Sequence, residues 1–259
     1  MSDRTLTDEL RFAVGTYTRL PVPPPAALDG GVAGRGLALG PVVGAGIGLV
    51  SGLPLLFTGV DLIARLLSAT LVVALAAWLT RALHWDGLAD TADGLGSGAA
   101  PEQARAIMGR SDIGPFGVLV LVFTVAIQAL SLAQLPAGTP ALAAWILAVT
   151  LGRFAVALGC AWWVQAARAD GLGALVVGSL TPRRLAVAGF LTAVVMLVQA
   201  ATGLVPWSLA LFWAPLAAVL VALWLATLAA RRLGGTTGDV LGATAELATA
   251  AALLVMALR

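Results

Sequence analysis

Seven apolar segments, each close to twenty residues long, alternate with short polar connections along this chain of 259 residues. A helix needs about 20 predominantly apolar residues to cross the hydrocarbon core of a bilayer. The ten-residue stretches of alternating hydrophobicity that mark membrane β-barrels do not occur in the sequence. The predicted spans are residues 37–58, 64–83, 116–136, 141–164, 185–206, 208–230 and 240–258. We therefore expect an all-α fold, a polytopic transmembrane helical bundle of about seven spans.

The composition argues against a water-soluble domain. Hydrophobic residues make up 60% of the chain and charged residues 11%, whereas soluble domains carry about 25% charged residues. We expect residues 1–259 to form a single integral-membrane domain. The formal net charge of +2 supplies no bulk basic field, so we expect no nucleic-acid partner. The single cysteine, Cys160, excludes an internal disulfide.

The N-terminal segment is polar and acidic, unlike a cleavable signal peptide. Its apolar positions recur at helical spacing and are Leu6, Leu10, Ala13, Val14 and Tyr17. This pattern predicts an N-terminal amphipathic helix that lies on the membrane surface. A proline-rich stretch at 21–25 follows and ends it.

Arginine placement predicts the orientation of the chain, because cytoplasmic connections carry an excess of basic residues. Twelve arginines fall on one side if the N-terminus is cytoplasmic, while Arg65 and Arg259 fall on the other. We therefore expect residues 1–35 to be cytoplasmic or interfacial. The long connection 84–115 holds five of the thirteen acids, and we expect it to be a cytoplasmic acidic active-site loop.

The strongest chemical signal lies in the segment His84–Gly94. On a helix, Asp86, Asp90 and Asp93 fall within roughly 60° of arc, because successive residues turn by about 100°. Three carboxylates on one stripe repel one another, more strongly near a low-dielectric bilayer. Mg²⁺ would compensate them, since it binds one or two carboxylates together with substrate phosphates. The alternative is a solvated acidic helix end, and His84 is either a general base or a cap of this segment.

A glycine-rich stretch at 94–98 then leads to a basic segment. Arg105 and Arg110 are candidates to pair with phosphate oxygens in a planar fork. Asp112 is a candidate for a further metal ligand. The alternative is an ordinary positive-inside connection that leads into span three.

A third signal precedes span seven. Glycines, hydroxyls and two arginines lie just before the helix start, where backbone N–H groups favour an anion. Asp239 and Glu246 are seven residues apart and therefore share one helix face. Glu246 and Arg153 lie inside predicted spans, which marks them as functional candidates. The alternative is that these two residues form a structural pair.

Four glycines in span one recur at every fourth position, at Gly40, Gly44, Gly48 and Gly52. Small residues at this spacing allow another helix to approach closely. We interpret this ladder as a packing surface.

These motifs resemble those of the cobalamin synthase family, the adenosylcobinamide-GDP ribazoletransferases. Thr18–Pro23 resembles the family's T-R-L-P-V-P, and Pro41–Gly44 resembles its P-L-V-G. His84–Gly94 resembles H-L-D-G-L-A-D-T-x-D-G, and Gly234–Ala243 resembles G-G-x-T-G-D-x-x-G-A. The matches run in one order from residue 15 to about residue 246, which is nearly the whole chain.

The resemblance implies a reaction of cobalamin biosynthesis at the bacterial plasma (inner) membrane. Adenosylcobinamide-GDP would be joined to α-ribazole or its 5′-phosphate, with release of GMP and with Mg²⁺ as cofactor. Membrane lipid would surround the chain. A homo-oligomer, or an association with other late cobalamin enzymes, is left open.

The resemblance also suggests roles for residues. The candidate catalytic residues are His84, Asp86, Asp90, Asp93, Arg110 and Asp239. Four of them, Asp86, Asp90, Asp93 and Asp239, are the candidate metal ligands. The candidate substrate-binding residues are Arg19, Ser111, Asp112, Arg232, Gly234, Gly235, Thr237 and Glu246. Many family members have D-S-R where this chain has Arg110-Ser111-Asp112, so the separate roles of that acid and base stay open.

Two other classes of protein compete with this interpretation. One is another Mg²⁺-dependent membrane phosphotransferase or prenyltransferase, but the D-G-x-x-A-R motif of CDP-alcohol phosphotransferases is not found. The other is a membrane transporter, which buried Arg153 and Glu246 would suit. Transporters usually place their site at mid-bilayer between related halves, and the two halves of this sequence show no repeat.

Overall fold

The computed structural model describes residues 3–59, 61–203 and 209–258, and in this part of the chain the fold is all-α with only isolated β-bridges. The N-terminal helices are α1 (Asp3–Tyr17), α2 (Gly30–Ala38), α3 (Gly40–Gly52), which continues into a 3₁₀ helix (Leu53–Phe57), and α4 (Leu62–Leu79). The middle helices are α5 (Leu83–Gly96), α6 (Pro101–Met108), α7 (Pro115–Gln134) and α8 (Thr139–Gly159). The C-terminal helices are α9 (Gly171–Val176), α10 (Pro182–Ala201), α11 (Leu209–Leu233) and α12 (Gly238–Ala257).

Seven helical segments of the described chain are long and apolar enough to cross a membrane, which confirms the expected number. They are Gly40–Phe57, Leu62–Leu79, Pro115–Gln134, Thr139–Gly159, Pro182–Ala201, Leu211–Leu233 and Gly238–Ala257. Three predicted ends were wrong, because the second, fourth and fifth spans end at Leu79, Gly159 and Ala201 rather than at residues 83, 164 and 206. Apolar residues continue directly past Gly159, so hydropathy alone could not locate that end.

The connection 84–115 is more ordered than the predicted loop. It contains the whole of α6 and almost all of α5. The helix predicted from the acidic stripe is confirmed as α5, and the glycine-rich stretch after it forms the turn into α6.

The spans divide into a central pair and a periphery. In an apolar 18-residue stretch of α8 and of α12, 78% and 72% of residues are buried, whereas the figures for α4 and α10 are only 17% and 22%. A helix that is apolar on all sides but exposed in the protein alone must face lipid when the protein lies in a membrane. The core of the bundle is therefore built around α8 and α12, with α4 and α10 at its edge.

The glycine ladder of α3 packs against α8, as predicted. A Cβ atom at Gly44 would lie 2.9 Å from the Val149 carbonyl oxygen, and one at Gly48 would lie 2.8 Å from Cα of Ile146. The two backbones therefore touch at these positions. Gly40, at the start of the ladder, packs instead against the Tyr17 ring of α1.

Helix α1 is amphipathic, but part of its apolar face is used inside the protein. Ala13 and Tyr17 are buried, whereas Leu6 and Leu10 are exposed. An ion pair between Glu9 and the Arg35 guanidinium ties α1 to α2. The location of the exposed leucines on a membrane surface stays a prediction.

The contact between α3 and α8 leads to a test of packing. Gly48→Ala should lower the stability of the detergent-solubilised protein by about 1–3 kcal/mol, since the new methyl group meets backbone rather than a movable side chain. The measurement is the thermal unfolding midpoint. Gly46→Ala is the matched control, because a Cβ atom at Gly46 meets nothing within 4 Å. Equal losses in the two variants would contradict the packing role.

Candidate active site

The turn between α4 and α5 sets the direction of the acidic helix. Arg81 and Ala82 both have positive φ angles, of 57° and 54°, which are uncommon for residues other than glycine. The end of α1 supports this turn, because the Arg81 guanidinium donates a hydrogen bond to the Gly15 carbonyl at 3.0 Å. The Arg19 backbone N–H donates to the Leu79 carbonyl at 2.7 Å. The N-terminal helix therefore fixes where α5 begins.

Two glycines allow α5 and α12 to cross in backbone contact. A Cβ atom at Gly87 would lie 2.8 Å from Cα of Asp239, and one at Gly242 would lie 3.1 Å from Cα of His84. This crossing brings Asp239 beside the acidic stripe, although 153 residues separate it from Asp86 in the sequence. The role of Asp239 as a metal ligand stays a prediction.

The carboxylates of this region act on one another electrostatically. The pKa of Asp90 is raised to about 7, mainly because the side chain is partly buried. The negative charges of Asp86, Asp239 and Asp93 raise it further, in that order of effect. A cation placed among these groups would relieve the repulsion.

Asp93 has a structural role that the sequence did not reveal. Its side chain is buried, one oxygen accepts a hydrogen bond from the Gly114 N–H at 2.7 Å, and the other accepts one from the Gly117 N–H at 2.9 Å. A Cβ atom on either glycine would meet the carboxylate at 2.4–2.5 Å. Asp93 therefore anchors the start of α7. The predicted metal site depends most on Asp86, Asp90 and Asp239.

The donor set is suited to Mg²⁺ without forming a closed cage. No three Asp, Glu, His or Cys side chains in the described ranges are arranged to enclose a metal ion. Mg²⁺ is usually bound by one or two carboxylates, with water and substrate phosphates completing the shell. Partly exposed carboxylates that repel one another suit this mode of binding better than they suit a closed site made of protein ligands alone.

Two cavities are lined in part by residues of the acidic stripe. The inner cavity has a volume of about 320 Å³. Its buried wall is formed by Tyr17, Leu37, His84, Val156, Val176 and Leu241, and its exposed rim includes Asp86, Arg168 and Asp170. Asp239, which is partly buried, also lines it.

The outer cavity has a volume of about 230 Å³ and lies beside the start of α7. Its polar lining residues are Asp90, Asp93, Ser97, Arg110 and Asp112. The structure therefore places Arg110 and Asp112 at the same cavity. The acidic stripe contributes Asp86 to the inner cavity and Asp90 to the outer one, so both cavities reach the stripe.

His84 is buried and contacts a network of charged and polar side chains. The Nδ1 atom of His84 is 3.4 Å from Nη2 of Arg153, and the Arg153 guanidinium is 3.7 Å from the Glu246 carboxylate. The Gln128 side-chain N–H donates to that carboxylate at 3.1 Å. Burial, assisted by the positive charge of Arg153, holds the pKa of His84 well below its ordinary value.

The Arg153–Glu246 contact supports the structural-pair alternative for these two residues. Glu246 was also a candidate substrate-binding residue, but it is buried and lines neither cavity. Two partners already engage its carboxylate, which are Arg153 and Gln128.

Of the predicted substrate-binding residues just before α12, Thr237 lines a cavity, whereas Gly234 and Gly235 do not. Thr237 lines the inner cavity and caps α12 by accepting a hydrogen bond from the Val240 N–H. Gly235 packs against the backbone of Ala167, where a Cβ atom would lie 2.6 Å from the nitrogen. Its neighbour Gly234 has a φ of 76°, a conformation that favours glycine.

Besides Glu246, Gly234 and Gly235, three further candidates lie outside both cavities. The Arg19 guanidinium stacks over the Trp78 ring at 3.9 Å from its centroid. Arg232, at the end of α11, and Ser111, between Arg110 and Asp112, are both exposed. Their binding roles stay predictions.

Sequence reasoning missed the segment between α8 and α10. Arg168 and Asp170 line the rim of the inner cavity, although the sequence identified Arg168 only as part of the positive-inside pattern. A β-bridge between Ala166 and Thr236 fixes this segment beside the start of α12. Two short, distant stretches pair only after the spans assemble, so no local pattern signals this contact.

These features define a multi-pass membrane protein with an acidic, two-cavity site at one end of its helix bundle. The chain matches the family model of cobalamin-5-phosphate synthase over residues 9–257, and it belongs to that family. It is 41% identical to an adenosylcobinamide-GDP ribazoletransferase of Nocardioides sp., with 98% of this chain and 100% of the relative covered. A relative of the same name from Frankia casuarinae is 38% identical, with 96% and 94% covered. No solved structure matches the chain.

The anchoring role of Asp93 predicts a stability effect. Asp93→Asn should cost about 1.5–3 kcal/mol, because a charged acceptor of two backbone N–H groups is lost. Thermal unfolding in detergent measures the loss. Asp86→Asn removes an exposed carboxylate of the same helix for which no hydrogen bond is seen. Its free energy of unfolding should stay within about 0.5 kcal/mol of that of the unmodified protein. A larger loss in Asp86→Asn than in Asp93→Asn would contradict the assignment.

The buried ion pair leads to a second prediction. Glu246→Gln should destabilise the protein by about 3–5 kcal/mol, since it leaves the Arg153 charge buried without its partner. Adding Arg153→Met to the same chain should recover a large part of that loss, because no uncompensated charge then stays in the core. The free energies of unfolding of the unmodified protein, Glu246→Gln, Arg153→Met and the double variant give the coupling between the residues. Additive losses would show that the two side chains act independently.

Proposed function

We propose that this chain transfers the adenosylcobinamide phosphate group from adenosylcobinamide-GDP to α-ribazole or its 5′-phosphate. In this reaction an acceptor hydroxyl oxygen forms a bond to the phosphorus next to the cobinamide, the bond from that phosphorus to GMP breaks, and GMP leaves. Adenosylcobalamin or its phosphate is the product. The observation that carries the proposal is a stripe of carboxylates that lines part of two cavities in a chain that matches its family over nearly its full length.

Asp86, Asp90 and Asp239 would hold Mg²⁺, with Asp93 at the end of the same stripe. When bound, Mg²⁺ supplies positive charge that neutralises the pyrophosphate oxygens as the bond to GMP breaks. Arg110, in the outer cavity, is placed to donate hydrogen bonds to phosphate oxygens in the same step. The adjacent Asp112 carboxylate orients the Arg110 guanidinium or meets the donor substrate.

His84 is better suited to donate a hydrogen bond than to act as the general base. A guanidinium can only donate, so Nδ1 of His84, which faces Arg153, is the accepting nitrogen of a neutral ring and the proton lies on Nε2. A free carboxylate is then the remaining candidate for the base. Asp86 is already a proposed metal ligand, so we assign this role to Asp170, the other exposed carboxylate at the rim of the inner cavity.

The site is proposed to face the cytoplasm of a bacterial cell across the plasma membrane. The sequence connections on the side of the acidic stripe carry twelve of the arginines, and basic connections stay cytoplasmic. Membrane lipid would contact the exposed apolar faces of α4 and α10. Nucleotide substrates are available on that side without crossing the bilayer.

The reaction is tested by GMP release from adenosylcobinamide-GDP and α-ribazole phosphate, with the purified protein in detergent. We expect release to require Mg²⁺ and to be matched by formation of cobalamin phosphate. Asp90→Asn should lower the rate by roughly 10³-fold, in the range found when a group that stabilises transition-state charge is removed. Chromatography of both products gives the rate.

The control for this test is Glu102→Gln, which removes an exposed acid from the first turn of α6, outside both cavities. Its GMP release should stay within twofold of the unmodified protein. Near-normal turnover by folded Asp90→Asn would remove Asp90 from the mechanism. Absence of GMP release from the folded, unmodified protein would overturn the proposed function.

A further inference from the structure

The inner cavity differs from the outer cavity in the chemistry of its wall. Its buried side chains are mainly aliphatic and aromatic, and its charged side chains are confined to one end. The Tyr17 and His84 rings stack there, with centroids 6.0 Å apart and planes 24° apart. Nearly parallel rings in an apolar wall favour contact with another flat ring. The outer cavity is lined by Arg110, Ser97 and three carboxylates, so a phosphate would bind there through Arg110 and a cation held by the carboxylates.

We propose that the inner cavity binds the planar heteroaromatic base of the nucleoside acceptor, and that the phosphorylated donor occupies the outer cavity. This assignment rests on the proposed function, because it divides the two substrates of that reaction between the two cavities. The acceptor base would lie against Tyr17 and His84, with its pentose directed towards the acidic rim.

The size of the inner cavity supports this division. Pockets that enclose a drug-sized ligand have volumes of about 300–1,000 Å³, and the inner cavity lies at the lower end of that range with about 320 Å³. A two-ring base with a pentose is a ligand of this size. A corrin macrocycle with its peripheral amides is much larger, so the cobinamide part of the donor has to stay outside.

Hydrogen-bonding capacity distinguishes the acceptor base from the guanine of the donor. The buried polar side chains of the cavity lining are Tyr17, His84, Thr236 and Thr237. Guanine has several donors and acceptors on its edges, and each one buried without a partner costs about 1–3 kcal/mol. A benzimidazole-like base has an apolar outer edge and matches the wall formed by Val156 and Val176.

Two hydroxyls of the cavity lining have no hydrogen-bond partner in the described part of the chain. They are Tyr17 Oη and Thr236 Oγ1, and both side chains are 2% exposed or less. Buried polar groups are normally paired, so a small number of polar atoms on a ligand would complete this wall. A nucleoside supplies few such atoms on its base and several on its pentose.

The position of the cavity also fits the direction of transfer. Asp86 and Asp239 line the inner cavity, whereas Asp90 lines the outer one. A pentose hydroxyl of the acceptor, directed to the rim, would give its proton to the Asp170 carboxylate as its oxygen bonds to phosphorus. The donor would approach that oxygen from the outer side of α5, so the two reacting atoms meet at the acidic stripe.

A variant that fills the cavity tests the assignment. Ala174→Trp places a large ring at a partly buried position of the cavity lining. It should weaken binding of α-ribazole at least tenfold and leave binding of the GDP-linked donor within twofold. Equilibrium dialysis of the detergent-purified protein measures each ligand alone, so no turnover is needed. Ala169→Trp is the matched control, because Ala169 is exposed in the same connection and does not line the cavity.

A second variant tests the ring contact. Tyr17→Leu should also lower the affinity for α-ribazole. The affinity for guanosine should be no higher in the unmodified protein than in Ala174→Trp. In steady-state turnover, Ala174→Trp should raise KM for α-ribazole at least tenfold and leave KM for the donor unchanged. Size-exclusion chromatography establishes that each variant is folded, and Ala174→Trp alone decides the matter if Tyr17→Leu aggregates.

The outcomes separate the two proposals. Normal α-ribazole binding to Ala174→Trp, together with normal GMP release, overturns the assignment of the cavity but not the reaction. Loss of donor or guanosine binding in Ala174→Trp assigns the cavity to the donor and likewise overturns the inference. If the unmodified protein binds α-ribazole but releases no GMP, the proposed function fails while the binding site stands.

Discussion

The contact between α5 and α12 is the feature on which the candidate site depends. Gly87 and Gly242 permit the two backbones to touch, and Asp239 then lies beside the acidic stripe. A Cβ atom at either glycine would meet the backbone of the other helix at 2.8–3.1 Å and force the two helices apart. Because carboxylates must lie close together to share one cation, that displacement would separate the groups that are proposed to bind the metal.

Charged groups in the interior have a different use from those at the cavities. Arg153, Glu246 and Gln128 contact one another, and Arg153 contacts the His84 ring that forms part of the inner cavity. Asp93 uses its charge to hold the start of α7. Removing one member of such a set leaves a buried charge or donor without its partner, which costs more than the contact itself contributes. The proposed chemistry is thus supported by polar contacts that do not take part in it.

Much of the site could be predicted from residue types and spacing, because local geometry carried it. The stripe of Asp86 and Asp90 follows from helical periodicity, and the segment did fold as a helix. The role of Asp93 did not follow, because its partners Gly114 and Gly117 donate through backbone atoms that no side-chain pattern reveals. Arg168 was also missed, since its place at the inner cavity depends on the pairing of distant segments.

The sequence by itself determined the all-α membrane fold, the number of spans and the acidic helix. Hydropathy and helical periodicity are properties of neighbouring residues, and a bilayer permits few other solutions for a chain of this composition. Only the tertiary structure decided which carboxylates meet, which are anchors, and that two cavities of different chemistry reach them. Those features depend on how closely whole helices approach, and that distance is set by glycines and buried polar pairs from remote parts of the chain.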